Sequence, residues 1–217
     1  MTLLDFARGP ALDWSIYILV GGTVLRLLGM LLIRNEADLS TPRKTGTAGA
    51  GARTVFTRMW PKPEFMSRTL LPVLLGHALH FGIAITVFLF VPHILFIKSV
   101  TGLAWTGLPN DLVLIAGAIA IGAGAALWVR RLTTPVLQTI STLDDHLSLL
   151  VTLLPLVTGM LAYAHIGLDY ETMLGLHVLS VELLFIYFPL GKLFHAVLWI
   201  PSRFQLGAAF QRRGVKA

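Results

Sequence analysis

Long apolar runs separated by short polar connections dominate the pattern of this chain. Each run is as long as the roughly 20 helical residues that cross a hydrocarbon layer about 30 Å thick. No run alternates apolar and polar positions as a barrel strand does, so helices are the structure that satisfies the backbone in lipid. The pattern predicts an all-α integral membrane bundle of five transmembrane helices, at approximately 14–33, 70–97, 112–129, 147–166 and 173–200.

Composition agrees with a membrane protein and narrows its chemistry. The 217 residues are 55% hydrophobic and 13% charged, and the mean hydropathy is +0.77, which is outside the range of soluble globular domains. Cysteine is absent, which excludes iron–sulfur clusters, thiolate zinc sites and covalently attached c-type haem. The connections are mostly short, so we expect one membrane domain over residues 1–217 and no soluble catalytic domain.

Basic residues are distributed unevenly between the connections. Of the 17 lysines and arginines, 13 lie in the segment 34–68, in the connection after the third span or in the C-terminal tail. Only Arg8 and Lys98 lie on the opposite side. By the positive-inside rule, this bias predicts an N-terminus outside, a basic cytoplasmic loop at 34–68 and a cytoplasmic C-terminus, in the inner (plasma) membrane. Because the charge follows membrane topology, we expect no nucleic-acid partner.

Small residues cluster in two segments. Thr45–Ala52 (TGTAGAGA) has the composition of a flexible loop. The third span contains Gly117, Gly122 and Gly124 among alanines. Small residues let transmembrane helices approach closely, so we expect this span to serve in packing.

Histidine is the residue type that indicates a cofactor-binding site. Polar residues at membrane depth are costly and usually have a partner or a cofactor. His177 and His195 are 18 residues apart in the fifth span, which is five whole turns and predicts that both lie on one face, separated by about 27 Å of rise. His146 and His165 lie at the ends of the fourth span, where interfacial hydrogen bonding is expected. All seven histidines fall within or at the ends of the second, fourth and fifth spans: His77, His80, His93, His146, His165, His177 and His195.

The second span is antiparallel to the fifth and is expected to supply the opposing ligands. His93 should face His177 near the outer surface, and an earlier histidine should face His195 near the cytoplasm. The residues leave that earlier position open between His77 and His80, at about 24 Å and 20 Å of rise from His93. Four histidines at complementary depths predict two bis-histidine haem sites with two haem b as cofactors, in which the iron ligands are His93, His177, His195 and either His77 or His80.

Proline affects the geometry of the second span. On a straight helix neither His77 nor His80 shares a face with His93. Pro92 immediately precedes His93 and is expected to kink or unwind the helix and so redirect that side chain.

Three segments resemble the gamma-subunit family of respiratory nitrate reductases. They are His80–Ile83 (HFGI) with the run to Pro92–His93, Asp144–Thr158 (DDHLSLLVTLLPLVT) and His177–His195 (HVLSVELLFIYFPLGKLFH). The resemblance implies a membrane cytochrome b that passes quinol electrons to a cytoplasmic iron–sulfur subunit and onward to a catalytic subunit. It also implies His80 with His195 at the inner haem, and His93 with His177 at the outer haem. The 13-residue gap between His80 and His93 is longer than in the best-known members, which indicates a divergent branch.

Charged residues within or beside the spans complete the candidate site. Glu182 lies within the fifth span, where a structural ion pair or a proton-relay role would tolerate its burial. We expect Arg26 to reach Glu182 or a haem propionate. Lys192 is expected to pair with inner-haem propionates or to snorkel to the interface. Lys98, five residues after His93, is the candidate for hydrogen bonding to a quinone oxygen.

The sequence therefore favours a dihaem electron-transfer subunit that is not catalytic alone. A proton or metal transporter lined by histidines and Glu182 is one alternative, and it predicts ligands clustered around one cavity. A membrane anchor without a cofactor is another, and it leaves the matched histidines unexplained.

Overall fold

The structure is a computed structural model that describes residues 2–33 and 39–215. Arg34 and Lys216, which contribute to the charge bias, lie outside these ranges. Within them the chain is helical and contains no strand. The helices are α1 (Leu3–Phe6), α2 (Leu12–Leu32), α3 (Thr47–Thr57), α4 (Met66–Leu89), α5 (Val91–Thr101), α6 (Asn110–Thr133), α7 (Pro135–Ile140), α8 (Leu143–Ala164), α9 (Tyr170–Tyr187) and α10 (His195–Arg212). A π-helical turn at Ala7–Ala11 joins α1 to α2, and 3-10 turns at Pro63–Phe65 and Lys192–Phe194 precede α4 and α10.

The prediction of five membrane-spanning segments is confirmed. Five helical segments in the described ranges are long and apolar enough to cross a bilayer. Their outer faces carry exposed apolar side chains such as Leu25 and Leu31, which are 71% and 81% exposed, as expected where lipid is the solvent. The segments are Leu3–Leu32, Pro63–Leu89, Asn110–Thr133, Leu143–Ala164 and Tyr170–Tyr187.

The interior is formed where α4, α6 and α8 meet. The contact between α4 and α6 is close, because a Cβ atom at Gly82 would lie 2.6 Å from the Ala116 carbonyl oxygen. Such approaches require small residues. The buried cluster consists of Leu79, Ala120, Ala123, Leu153 and Leu156.

The glycines of the third span divide between two faces. Gly117 and Gly124 are buried, and a Cβ at Gly124 would lie within 2.5 Å of Leu153, so packing explains both. Gly122 is exposed and has no atom within 4 Å of its ideal Cβ position. The expected packing role is therefore wrong for Gly122.

The second span is broken where Pro92 predicts a kink. Helix α4 ends at Leu89, Phe90 is extended (φ −84°, ψ 124°), and α5 begins at Val91 with Pro92 in its first turn. Proline is tolerated there because the first amides of a helix have no intrahelical acceptor. The break turns His93 away from the straight path of α4.

The fifth span is also broken, which the sequence analysis did not predict. Asp169 begins α9 by accepting a hydrogen bond from the Thr172 amide at 3.0 Å, and α9 ends at Tyr187. Pro189 has no amide proton and Gly191 follows it, a combination that ends helices. The prediction of one continuous helix over 173–200, with His177 and His195 on one face, is therefore wrong.

The expected flexible loop at Thr45–Ala52 is helical from Thr47 onward. Helix α3 packs along α10, and its small residues form the contact. A Cβ at Gly51 would lie 2.8 Å from the Phe204 carbonyl oxygen, and one at Gly207 would collide with Thr54. The Arg43 amide also donates to the Arg212 carbonyl oxygen at 2.9 Å. The basic loop and the C-terminal tail thus lie together at one end of the molecule.

Candidate functional site

His80 and His195 form the first of two facing histidine pairs. His80 lies on α4 and His195 is the first residue of α10. Their ring centroids are 6.0 Å apart, and the ring planes cross at 76°. The Nδ1 atom of His80 donates to the Gly76 carbonyl oxygen at 2.6 Å, and that of His195 donates to the Lys192 carbonyl oxygen at 2.9 Å. The Nε2 atoms remain available to a ligand.

His93 and His177 form the second pair. His93 lies in the first turn of α5 and His177 on α9. Their ring centroids are 6.1 Å apart, and the planes are nearly parallel at 19°. His93 Nδ1 donates to the Thr86 carbonyl oxygen at 2.7 Å, and His177 Nδ1 lies 3.3 Å from Thr158 Oγ1.

Both separations suit a metal ion bound between two imidazoles. Two metal–nitrogen bonds of about 2 Å, plus about 1.1 Å from each nitrogen to its ring centroid, set centroids roughly 6.3 Å apart. A hydrogen bond from Nδ1 to a carbonyl fixes the tautomer and orientation of histidines that ligate metals through Nε2. The residues present therefore fit a bis-histidine site in each pair.

Each histidine pair offers two protein ligands to a metal. In the described ranges no group of three or more His, Cys, Asp or Glu side chains is placed to hold a metal. A protein-bound metal ion ordinarily takes at least three protein ligands. In a haem the macrocycle supplies the other ligands, so two axial imidazoles suffice. The single ligand cluster expected of a transporter is not formed by the described residues.

The two pairs lie at different depths. Lys192, three residues before His195, bonds to Asp145 near the start of α8, whereas His177 lies beside Thr158 on the same helix, 13 residues and about 20 Å of rise further along. Helix α4 packs mainly against α6, and α9 packs against α8 and α2. In the described part of the chain, α4 and α9 do not pack extensively on each other. In each pair, the histidine on α4 or α5 thus faces the histidine on α9 or α10 across a gap between helices.

The surroundings of His177 are tightly packed. A Cβ at Gly159 on α8 would lie 2.9 Å from His177 Cε1 and 3.2 Å from its Nδ1. Thr158 Oγ1 also lies 2.9 Å from Ser180 Oγ. Sequence reasoning missed Gly159 and the Thr158–Ser180 contact, although both α8 residues belong to or adjoin the segment that carries the family resemblance.

The structure distinguishes His80 from His77. His77 Nδ1 bonds to the Val73 carbonyl oxygen at 2.8 Å, and its ring stacks on Trp60 with centroids 5.3 Å apart. Of the two candidates that the sequence left open, His80 is therefore the one that faces His195.

The remaining two histidines have local partners. His146 Nδ1 accepts a hydrogen bond from Trp128 Nε1 at 3.1 Å. His165 bonds to the Tyr163 carbonyl oxygen at 3.0 Å and stacks on Tyr170. Both match the hydrogen bonding expected at the ends of the fourth span.

Arg26 and Glu182 do not form the ion pair considered from the sequence. Arg26 Nη1 donates to the carbonyl oxygens of Pro189 at 2.7 Å and Gly191 at 3.1 Å. Glu182 is 4% exposed, and its Oε1 has no hydrogen-bond partner among the described residues. Arg26 thus contacts the break in the fifth span.

The two lysines differ in their surroundings. Lys192 Nζ lies 2.6 Å from Asp145 Oδ2 and 3.0 Å from Thr142 Oγ1. It therefore ties the start of α8 to the turn before His195. Lys98 is exposed in the last turn of α5, on the same short helix as His93.

Comparison with known proteins finds one similarity that bears on this chain. A curated protein of Nitratidesulfovibrio vulgaris (strain Hildenborough), described only as "Protein", is 32% identical over 128 residues, which are 59% of this chain and 56% of that protein. The chain thus spans about half the length of that relative. No family model and no solved structure matches.

Proposed function

We propose that this chain is the dihaem cytochrome b subunit of a quinone-linked respiratory oxidoreductase, a divergent relative of the nitrate reductase gamma subunits. The observation that carries the proposal is the pair of facing histidine couples, with centroids 6.0 Å and 6.1 Å apart at two depths of a membrane bundle. The hydrogen-bonded Nδ1 atoms in both couples support the same function.

In this proposal each histidine couple supplies the axial ligands of one b-type haem. His80 and His195 hold the inner group, and His93 and His177 hold the outer group. When bound, the two haems supply one-electron carriers at two depths, which together cross the bilayer. The protein's own contribution is to hold each imidazole at its position and to keep the surroundings apolar.

The positions of the basic residues support an orientation of the chain in the membrane and a place for quinol to bind. The basic loop and the basic tail lie at one end of the molecule, which supports the N-out topology and a cytoplasmic C-terminus in the plasma membrane. That basic end would bind a cytoplasmic iron–sulfur subunit, which passes electrons to a catalytic subunit. Lys98, exposed on the helix of His93, would donate a hydrogen bond to a quinone oxygen near the outer haem. Lys192 and Arg26 have protein partners in the structure, and the contact of either residue with a haem propionate stays a prediction.

The test is to count haems in the purified protein. A reduced-minus-oxidised spectrum with b-type bands and a pyridine haemochrome assay giving two haems per chain are expected. The His77→Ala variant is the matched control on α4, since His77 faces Trp60, and it should retain both haems. One haem per chain would contradict the dihaem assignment, and no haem would leave the anchor or transporter function.

A further inference from the structure

The break between α9 and α10 leaves backbone carbonyl groups without helical partners. Part-buried carbonyl oxygens at such a break cost free energy unless another group bonds to them. The break begins after Tyr187 and ends at His195. It therefore decides where the His195 imidazole stands.

Arg26 contacts this break at three points. Its Nη1 donates to the carbonyl oxygens of Pro189 and Gly191, and its guanidinium carbon lies 4.4 Å from the centroid of the Phe194 ring. Phe194 is 1% exposed and directly precedes His195. One side chain of α2 thus donates to two carbonyl oxygens of the break and contacts the ring of the residue that adjoins the histidine.

Helix α2 lies against the break along its length. A Cβ at Gly22, one turn before Arg26, would lie 2.8 Å from Pro189 Cγ. This approach brings the Arg26 guanidinium within reach of the two carbonyl oxygens. A planar guanidinium also presents several N–H donors in a fixed arrangement, whereas a lysine ammonium is a single point charge.

We propose that Arg26 is the positioning residue of His195 and sets the crossed arrangement of the inner imidazole pair. This inference rests on the proposed dihaem function. The inner rings cross at 76° and the outer rings at 19°. In a low-spin ferric haem, crossed axial planes leave the iron d orbitals nearly degenerate and give a strongly anisotropic electron paramagnetic resonance signal, whereas parallel planes give a rhombic one. The two histidine pairs should therefore give different electron paramagnetic resonance signals.

The experiment compares Arg26→Gln and Arg26→Lys with the purified wild-type chain, using haem content and low-temperature electron paramagnetic resonance. Arg26→Gln should lose the strongly anisotropic signal or move it toward the rhombic form, and the rhombic outer signal should remain. Arg26→Lys keeps the positive charge and a side chain long enough to reach one carbonyl oxygen, and it should retain part of the inner signal. Arg8→Gln removes a charge from the same transmembrane segment but is remote from the break, and it should match wild type.

Two outcomes would overturn the inference. If Arg26→Gln keeps both signals unchanged, the residue does not position His195. If Arg26→Gln and Arg26→Lys lose both signals in equal proportion, Arg26 serves the stability of the whole bundle. A wild-type protein without haem would instead refute the proposed function, so the two failures are distinguishable.

Discussion

Adding one methyl group beside His177 should disturb the outer haem alone. In Gly159→Ala the new Cβ would lie 2.9 Å from His177 Cε1, whereas nonbonded carbon atoms prefer about 3.5–4.0 Å. The ring or the α8 backbone must therefore move by about 0.6 Å or more. Overpacking of this kind costs about 1–3 kcal/mol. Because Thr158 lies beside the ring, we expect the ring to tilt out of its nearly parallel arrangement with His93.

The assay is the haem content and electron paramagnetic resonance spectrum of purified Gly159→Ala. The rhombic outer signal should weaken or shift, and the strongly anisotropic inner signal should stay. Gly122→Ala on α6 is the matched control, because nothing lies within 4 Å of the new methyl group, and it should behave as wild type. Loss of the inner signal with an intact outer one would refute the assignment of His177 to the outer pair.

Three further predictions test other parts of the molecule. His80→Ala should reduce the haem count from two per chain to one while His77→Ala retains two, and the reverse result would show that the inner ligand is misassigned. A reporter fused after Ala217 should be active in the cytoplasm, and activity only on the outer side would overturn the topology. Gly207→Val should drive α10 away from Thr54 and make α3 more sensitive to protease, at a cost of about 1–3 kcal/mol, with both haems retained. Equal protease resistance in wild type and Gly207→Val would contradict the close packing of α3 on α10.

The sequence by itself determined the features that depend on residues close together in the chain. The cost of unsatisfied backbone in lipid makes each long apolar run a helix, so the five spans were predictable. The break before His93 was predictable because Pro92 lacks an amide proton. The places of the histidines within the apolar runs put His93 opposite His177 before any contact was known, although the helical rise assumed between His177 and His195 does not hold across the break after Tyr187.

Only the tertiary structure decided features that depend on contacts between distant segments. The spacing along α4 left His77 and His80 open and the family resemblance favoured His80, whereas the structure places His80 opposite His195 and stacks His77 on Trp60. Thr47–Thr57 is a helix because its small residues meet α10, although the same composition is typical of a flexible loop. The break after Tyr187 has a signal in Pro189 and Gly191, but two of its carbonyl oxygens accept hydrogen bonds from Arg26, which lies more than 160 residues earlier. Such partners cannot be read from local patterns, because burial and hydrogen bonding are properties of the packed bundle.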